Sequence, residues 1–238
     1  MKLRNMLFMA GAAMVFTATA AQAADVSASA SLGVYDKYLW RGIDLSDSTA
    51  VTQGSADVTV NGFKLGVWGN AQLDDDGAWE GGEVNEVDVT VEYAFDMGEM
   101  LSAKVGNVTY LLKDMDDTSE AYAGLTVNTV LSPTFTAYWD WDEAEENGLY
   151  YTLAVSHTFE PCSYAAINLG ALVGYNDKSD YSIYYVEAGI DENGDEFEEF
   201  KSYSDWHNYE LSASVDFKVT DLLPEFRAIG SVRFGHLG

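Results

Sequence analysis

Residues 85–95 read NEVDVTVEYAF, with Val87, Val89, Val91, Tyr93 and Phe95 at odd positions and Glu86, Asp88, Thr90 and Glu92 at even ones. A period of two is the mark of a strand whose faces meet unlike surroundings. The pattern returns along the chain, at 63–73, 122–128, 135–141, 149–159, 165–175, 209–219 and 226–234, with 50–60 and 101–112 as weaker members. The first strand carries Val26, Ala28, Ala30, Leu32, Val34, Tyr38 and Trp40 on one face. Ser27, Ser29, Ser31, Gly33, Tyr35, Lys37 and Arg41 lie on the other, and Asp36 interrupts the apolar side. That makes about eleven strands of about ten residues each, the length of a tilted membrane-crossing strand.

The connections sort alternately by length. Short ones fall at 61–62, 96–100, 130–133, 160–163 and 220–224; longer acidic ones fall at 43–49, 73–83, 113–120, 142–148 and 176–205. Short turns at one end and long polar loops at the other describe an outer-membrane barrel, whose short turns are periplasmic. A soluble β-sandwich has no reason to alternate loop length so regularly. The expected fold is therefore all-β: an antiparallel up-and-down transmembrane β-barrel of about twelve strands. Three prolines against 21 glycines and 15 tyrosines suit that class. Within 176–205, YSIYYVEAGI and EFEEFKSYS around Asn193-Gly194 predict a β-hairpin excursion, since the carboxylates of EFEEF are too dense for a membrane strand.

The first residues predict export. Lys2 and Arg4 precede the apolar run MLFMAGAAMVFTATA, and Ala21-Gln22-Ala23 fits the small-x-small cleavage rule. Residues 1–23 are thus expected to be a cleaved signal peptide and 24–238 a single domain. The competing reading, a membrane anchor, is disfavoured because the apolar stretch is short and lacks a basic stop. Loss of Lys2 and Arg4 takes the formal net charge from −27 to −29. So acidic a chain is excluded from ordinary nucleic-acid binding and from docking on anionic lipid through a basic patch. Cys162 is the lone cysteine, so no intrachain disulfide supports the fold.

YLWRGIDLSDSTAVTQGSADV, followed by GFKLGVWGN, resembles the N-terminal signature of the TorF-type porin family, small outer-membrane proteins of proteobacteria. Tyr38, Arg41, Gly42, Ile43, Ser46, Gln53, Gly54, Gly66, Trp68 and Gly69 carry the resemblance, which covers 26–75 and then weakens to pattern alone. It implies an outer-membrane barrel of about twelve strands with a pore function, and brings no substrate or catalytic residue. The resemblance also implies a closing strand with a terminal aromatic, whereas this chain ends SVRFGHLG. The count of eleven is odd where bacterial barrels are even, so either a closing strand is missing or the count is off by one.

In a barrel the functional surface is the lumen. Strand parity and the opening stretch nominate Lys37, Arg41, Lys64, Trp68, Asn70, Glu86, Asp88, Glu92, Lys104 and Asp216 as pore-lining. Tyr38 and Trp40 are expected on the lipid side, in the aromatic girdle at the outer interface. Arg41 is read either as a partner of the lumenal carboxylates or as one of a surface salt bridge to Asp44 or Asp47. Asp191, Asn193 and Asp195 offer oxygen ligands for weakly bound calcium, but an EF-hand fails because its twelfth position is Ser202. The alternative for such acidic runs is a solvated loop.

No catalytic motif is present, Ser156 and His157 fall on opposite faces, and no enzyme and no other cofactor are expected. The expected function is a porin-like channel for passive diffusion of small solutes, preferring cations because carboxylates ring the lumen and its mouth. The alternative is a non-conducting barrel whose acidic loops bind divalent cations, lipopolysaccharide or a partner. A soluble exported barrel with a ligand in its cup is the third class. The expected location is the Gram-negative outer membrane, with its lipid and lipopolysaccharide as surroundings.

Overall fold

The structure, a computed structural model, describes residues 11–20, 25–75, 79–144, 148–179, 185–190, 196–201, 203–218 and 226–237. Its strands are β1 (Gly11–Ala20), β2 (Val26–Tyr35), β3 (Leu39–Trp40), β4 (Ile43–Asp44), β5 (Val51–Val60), β6 (Phe63–Gln72), β7 (Val84–Asp96) and β8 (Leu101–Leu112). They continue as β9 (Thr118–Val127), β10 (Thr134–Asp140), β11 (Leu149–Cys162), β12 (Ala165–Asp177), β13 (Tyr185–Ile190), β14 (Glu196–Lys201), β15 (Ser204–Lys218) and β16 (Phe226–Leu237). Among the described residues no helix is long and apolar enough to cross a membrane, which says nothing of strands.

Twelve strands form one antiparallel up-and-down sheet, each bonded to the next in the chain. β1 bonds to β2 on one side and to β16 on the other, so the order of neighbours returns to its start and the sheet acquires an inside. The β13–β14 pair forms a sheet of its own, the expected excursion, although its turn around Asn193-Gly194 lies outside the described residues. The expected turn at 220–224 also lies outside them.

Register sorts the two faces. Between β6 and β7, Leu65 stands opposite Val91 and Val67 opposite Val89, while Lys64 faces Glu92, Trp68 faces Asp88 and Asn70 faces Glu86. The apolar set is turned out and bare: Leu65 is 59% exposed, Leu32 57%, Leu211 55% and Val91 54%. The polar set is turned in, and the largest fully buried side chains include Gln72, Asn70, Asn176 and Ser46. This reverses the usual distribution of a water-soluble domain.

One sequence expectation changes here. The first strand ends at Tyr35, so Lys37, Tyr38, Trp40 and Arg41 do not continue it. Asp36, the residue that breaks the alternation, opens a bend, and the chain turns back on itself as the β3–β4 hairpin. Arg41 and Gly42, at φ 47° and 82°, make its two-residue turn, the left-handed geometry that matches the twist of a tight hairpin. β1 lies in the segment read from sequence as the apolar core of an export leader.

Asn61 and Gly62, at φ 49° and 87°, form the same kind of turn between β5 and β6. A Cβ at Gly62 would collide with the carbonyl oxygen of Ala94, whereas one at Gly98, φ 88°, meets nothing within 4 Å. Gly98→Ala is therefore expected to cost only the left-handed penalty of about 1–2 kcal/mol. Gly62→Ala should cost clearly more, and denaturant unfolding of the two variants side by side checks the difference.

Candidate functional site

The inner face is a layered polar network. Near the short turns, Ser29 donates to Asp57 at 2.7 Å, the hydroxyls of Ser31 and Ser55 lie 2.6 Å apart, and Asn168 bridges Ser214 and Asp216, each at 3.1 Å. Also toward the short turns, Glu92 takes Lys64 at 3.2 Å, Lys104 at 3.6 Å and the Tyr122 hydroxyl at 2.8 Å. Each long cation lies beside that carboxylate because register sets Lys64 opposite it on β6, and Lys104 stands on β8 beyond it.

The long-loop end is filled by the infolded hairpin. Arg41 reaches Glu120 on β9 with two parallel hydrogen bonds, Nη1 to Oε1 at 2.8 Å and Nη2 to Oε2 at 2.6 Å. Both side chains are nearly sealed, at 8% and 3% exposure. The guanidinium lies 4.1 Å from the Tyr150 ring centroid, 4.4 Å from Trp40 and 5.0 Å from Tyr138, so aromatic rings shield it. Burial opposes its charge, but the neighbouring Glu120 outweighs burial and holds the pKa above the ordinary arginine value. Tyr110 donates to the same carboxylate at 2.8 Å.

Tyr38 turns inward too. Its hydroxyl donates to Glu86 at 3.2 Å, and its ring packs 5.4 Å from Trp68. Trp40 meets Tyr110 edge-on at 6.4 Å. The expected membrane-interface girdle at Tyr38 and Trp40 is thus corrected: both rings belong to the interior, because the bend at Asp36 takes the chain out of the sheet before it reaches them. The segment is knit to itself as well. Asp44 accepts from Lys37 at 3.0 Å and from the backbone amides of Ser46 and Ser48 at 3.1 and 3.0 Å, and Ser46 Oγ accepts the Tyr38 amide at 2.8 Å. Partial burial opposes the Asp44 charge, yet these donors outweigh it and lower its pKa.

Of the residues nominated from sequence, Lys64, Trp68, Asn70, Glu86, Asp88, Glu92, Lys104 and Asp216 stand on the inner face of strands. Arg41 comes to the interior from the loop and pairs with neither Asp44 nor Asp47. Lys37 stays within the loop, paired to Asp44. Glu120 was missed because the run KDMDDTSE reads as a polar loop, which hides the parity of a strand that starts at Thr118. Asp191, Asn193 and Asp195 lie outside the described residues, and among those described no group of ligands could hold a metal ion.

Glu86 and Asp88 differ from the other inner carboxylates. Neither pairs with a cation among the described residues, and Asp88 Oδ1 is buried without a hydrogen-bond partner. Glu86 lines a cavity of about 110 Å³ at the long-loop end, walled by Tyr38, Trp40, Trp79 and Tyr110, with Glu120 also in its lining.

These features define an all-β, antiparallel, up-and-down protein with a polar, charge-bearing interior and an apolar exterior. The chain belongs to a family of bacterial proteins of unknown function, Gcw_chp, whose model matches residues 18–214. No curated protein matches it.

Replacing Glu120 by Gln leaves a buried guanidinium without its counter-charge, and the expected loss is about 3–5 kcal/mol of stability. Removing both charges with Arg41→Met and Glu120→Leu should recover most of it. Unfolding curves of the single and double variants test the coupling.

Proposed function

We propose that this chain is an outer-membrane β-barrel forming a narrow passive channel for small solutes, cations in preference. The observation that carries the reading is the reversed sorting of side chains. A ring of strands with Leu32, Leu65, Val91 and Leu211 bare on its outside is costly in water and at ease in hydrocarbon. Strands of ten to fifteen residues, such as β5 and β15, have the reach to cross a bilayer. The N-terminal resemblance to TorF-type porins supports the same reading.

Cation preference rests on two sources. Glu86 and Asp88, which meet no cation among the described residues, stand below the mouth, and the long connections are rich in Asp and Glu. Glu92 contributes less, since Lys64 and Lys104 offset it. The path is constricted where Arg41, Glu120, Tyr38 and Tyr150 fill the section near the long loops. That packing also favours a second reading, a barrel that does not conduct and uses its acidic loops to hold divalent cations, lipopolysaccharide or a partner.

Planar-bilayer recordings separate the two. Small conductance steps with a cation-selective reversal potential in a KCl gradient are expected, and folded, heat-modifiable protein without steps removes the channel. Glu92→Gln uncovers two lysines and should shift selectivity toward anions, whereas Glu86→Gln should weaken the cation preference alone. Deleting 39–44 should enlarge the steps.

Export through a cleaved leader belongs to the same proposal. The intact mass of membrane-extracted protein is expected to correspond to a chain beginning at Ala24; retention of 11–20 would keep β1 as a resident strand.

A further inference from the structure

The cavity at the long-loop end has walls and a floor of different chemistry. Tyr38, Trp40, Trp79 and Tyr110 offer aromatic surface, and Leu45 and Met115 complete an apolar lining drawn from separate connections. At its base lies Glu86, a carboxylate 92% removed from solvent that receives the Tyr38 phenol, shares a side-chain hydrogen bond with Asp88 and meets no cation among the described residues. Asp88, two residues along the same inner face, adds a buried oxygen with no partner. The charges nearby do not compensate this pair. Arg41 is spent on Glu120, and Lys113 at the rim, 5.5 Å over Trp79, is held by Glu83 and Asp114.

We propose that this cavity binds a small organic ammonium ion, its charge over the Trp and Tyr rings and toward Glu86. Chemistry decides among the occupants. An anion meets carboxylates and ring faces, both of which repel it. A hard cation such as calcium wants six or more oxygen ligands converging on one point, and among the described residues no group of acidic or histidine side chains could hold a metal ion. A neutral apolar guest leaves the buried carboxylates uncompensated. An alkylammonium ion is weakly hydrated at its surface, is attracted by ring quadrupoles, and gains most where water is excluded. The cavity's volume of about 110 Å³ is the share of roughly four waters, which suits a compact ion of tetramethylammonium size. The site goes beyond the channel reading, since binding requires no conduction.

Titration of the full chain in detergent with tetramethylammonium chloride, followed by tryptophan fluorescence and calorimetry, tests it. Saturable binding in the millimolar range is expected, absent with sodium chloride at equal ionic strength and with the neutral isostere tert-butanol. Glu86→Gln should weaken binding about tenfold, as the loss of a desolvated charge contact requires. Trp79→Ala, on the connection between β6 and β7, should weaken it severalfold and covers the case in which the Glu86 variant does not fold. Asp57→Asn, near the short turns, should leave binding unchanged. No saturation with tetramethylammonium, equal response to tert-butanol, or indifference to both Glu86→Gln and Trp79→Ala overturns the proposal. Because binding is read in detergent and conduction in a bilayer, failure of one leaves the other standing.

Discussion

A strand that presents valine on one side and serine or glutamate on the other needs two different surroundings, and the sorting of side chains across this sheet follows from that need. Once the backbone groups are bonded between neighbours around the whole ring, no edge has to be covered and no second layer is required. The apolar side is then left with nothing of the protein's own to pack on. What would be a hydrophobic core in a soluble domain is here a network of serines, asparagines, tyrosines and paired charges. Its cohesion comes from satisfaction of polar groups, so the interior is sensitive to the loss of a single partner in a way that a hydrocarbon core is not.

The infolded hairpin shows how far that network is exploited. Arg41 sits at a positive φ, which costs an ordinary residue about 1–2 kcal/mol, and it carries a charge into a nearly sealed site. Both costs are tolerable because one carboxylate meets the guanidinium in parallel geometry and three rings cover its surroundings. The turn and the ion pair are mutually dependent: the left-handed backbone aims the side chain at Glu120, and Glu120 secures the turn. Asp44 and Ser46 hold the rest of the segment so that Tyr38 arrives over Glu86. The loop therefore behaves as an inner wall of the ring and sets how much of its section is filled.

Most of the sheet was legible because a two-residue period survives any tertiary context that keeps both faces distinct. The eleven long strands after residue 24, the alternation of short and long connections and the separate hairpin at 185–201 all follow from it. The interior was legible only where parity could be counted within a strand, as for Lys64, Glu86 and Glu92. It failed at both ends of the opening stretch. Tyr38 and Trp40 share the parity of Val34, but parity means nothing once Asp36 has turned the chain away. Glu120 lay in a run of acidic residues that resembles a loop, and its role depends on Arg41, 79 residues earlier. Local pattern cannot report a partner at that distance.

The ring and the leader make competing claims on one segment. Residues 11–20, GAAMVFTATA, hold a continuous apolar stretch from Ala12 to Phe16, without the alternation that every long strand from β5 onward displays to some degree. A strand with one face toward water or polar groups has no use for such a run, whereas the core of an export signal does. If the proposed cleavage follows Ala23, β1 leaves, and the strands flanking it become β2 and β16. Both are antiparallel to β1, so they run parallel to one another. An eleven-stranded ring can then close only through a parallel pair, whose slanted hydrogen bonds are somewhat weaker than those of the antiparallel ladders around the rest of the sheet. That seam would join the serine- and alanine-rich β2 to β16, so the competing claims on residues 11–20 bear directly on how the sheet closes.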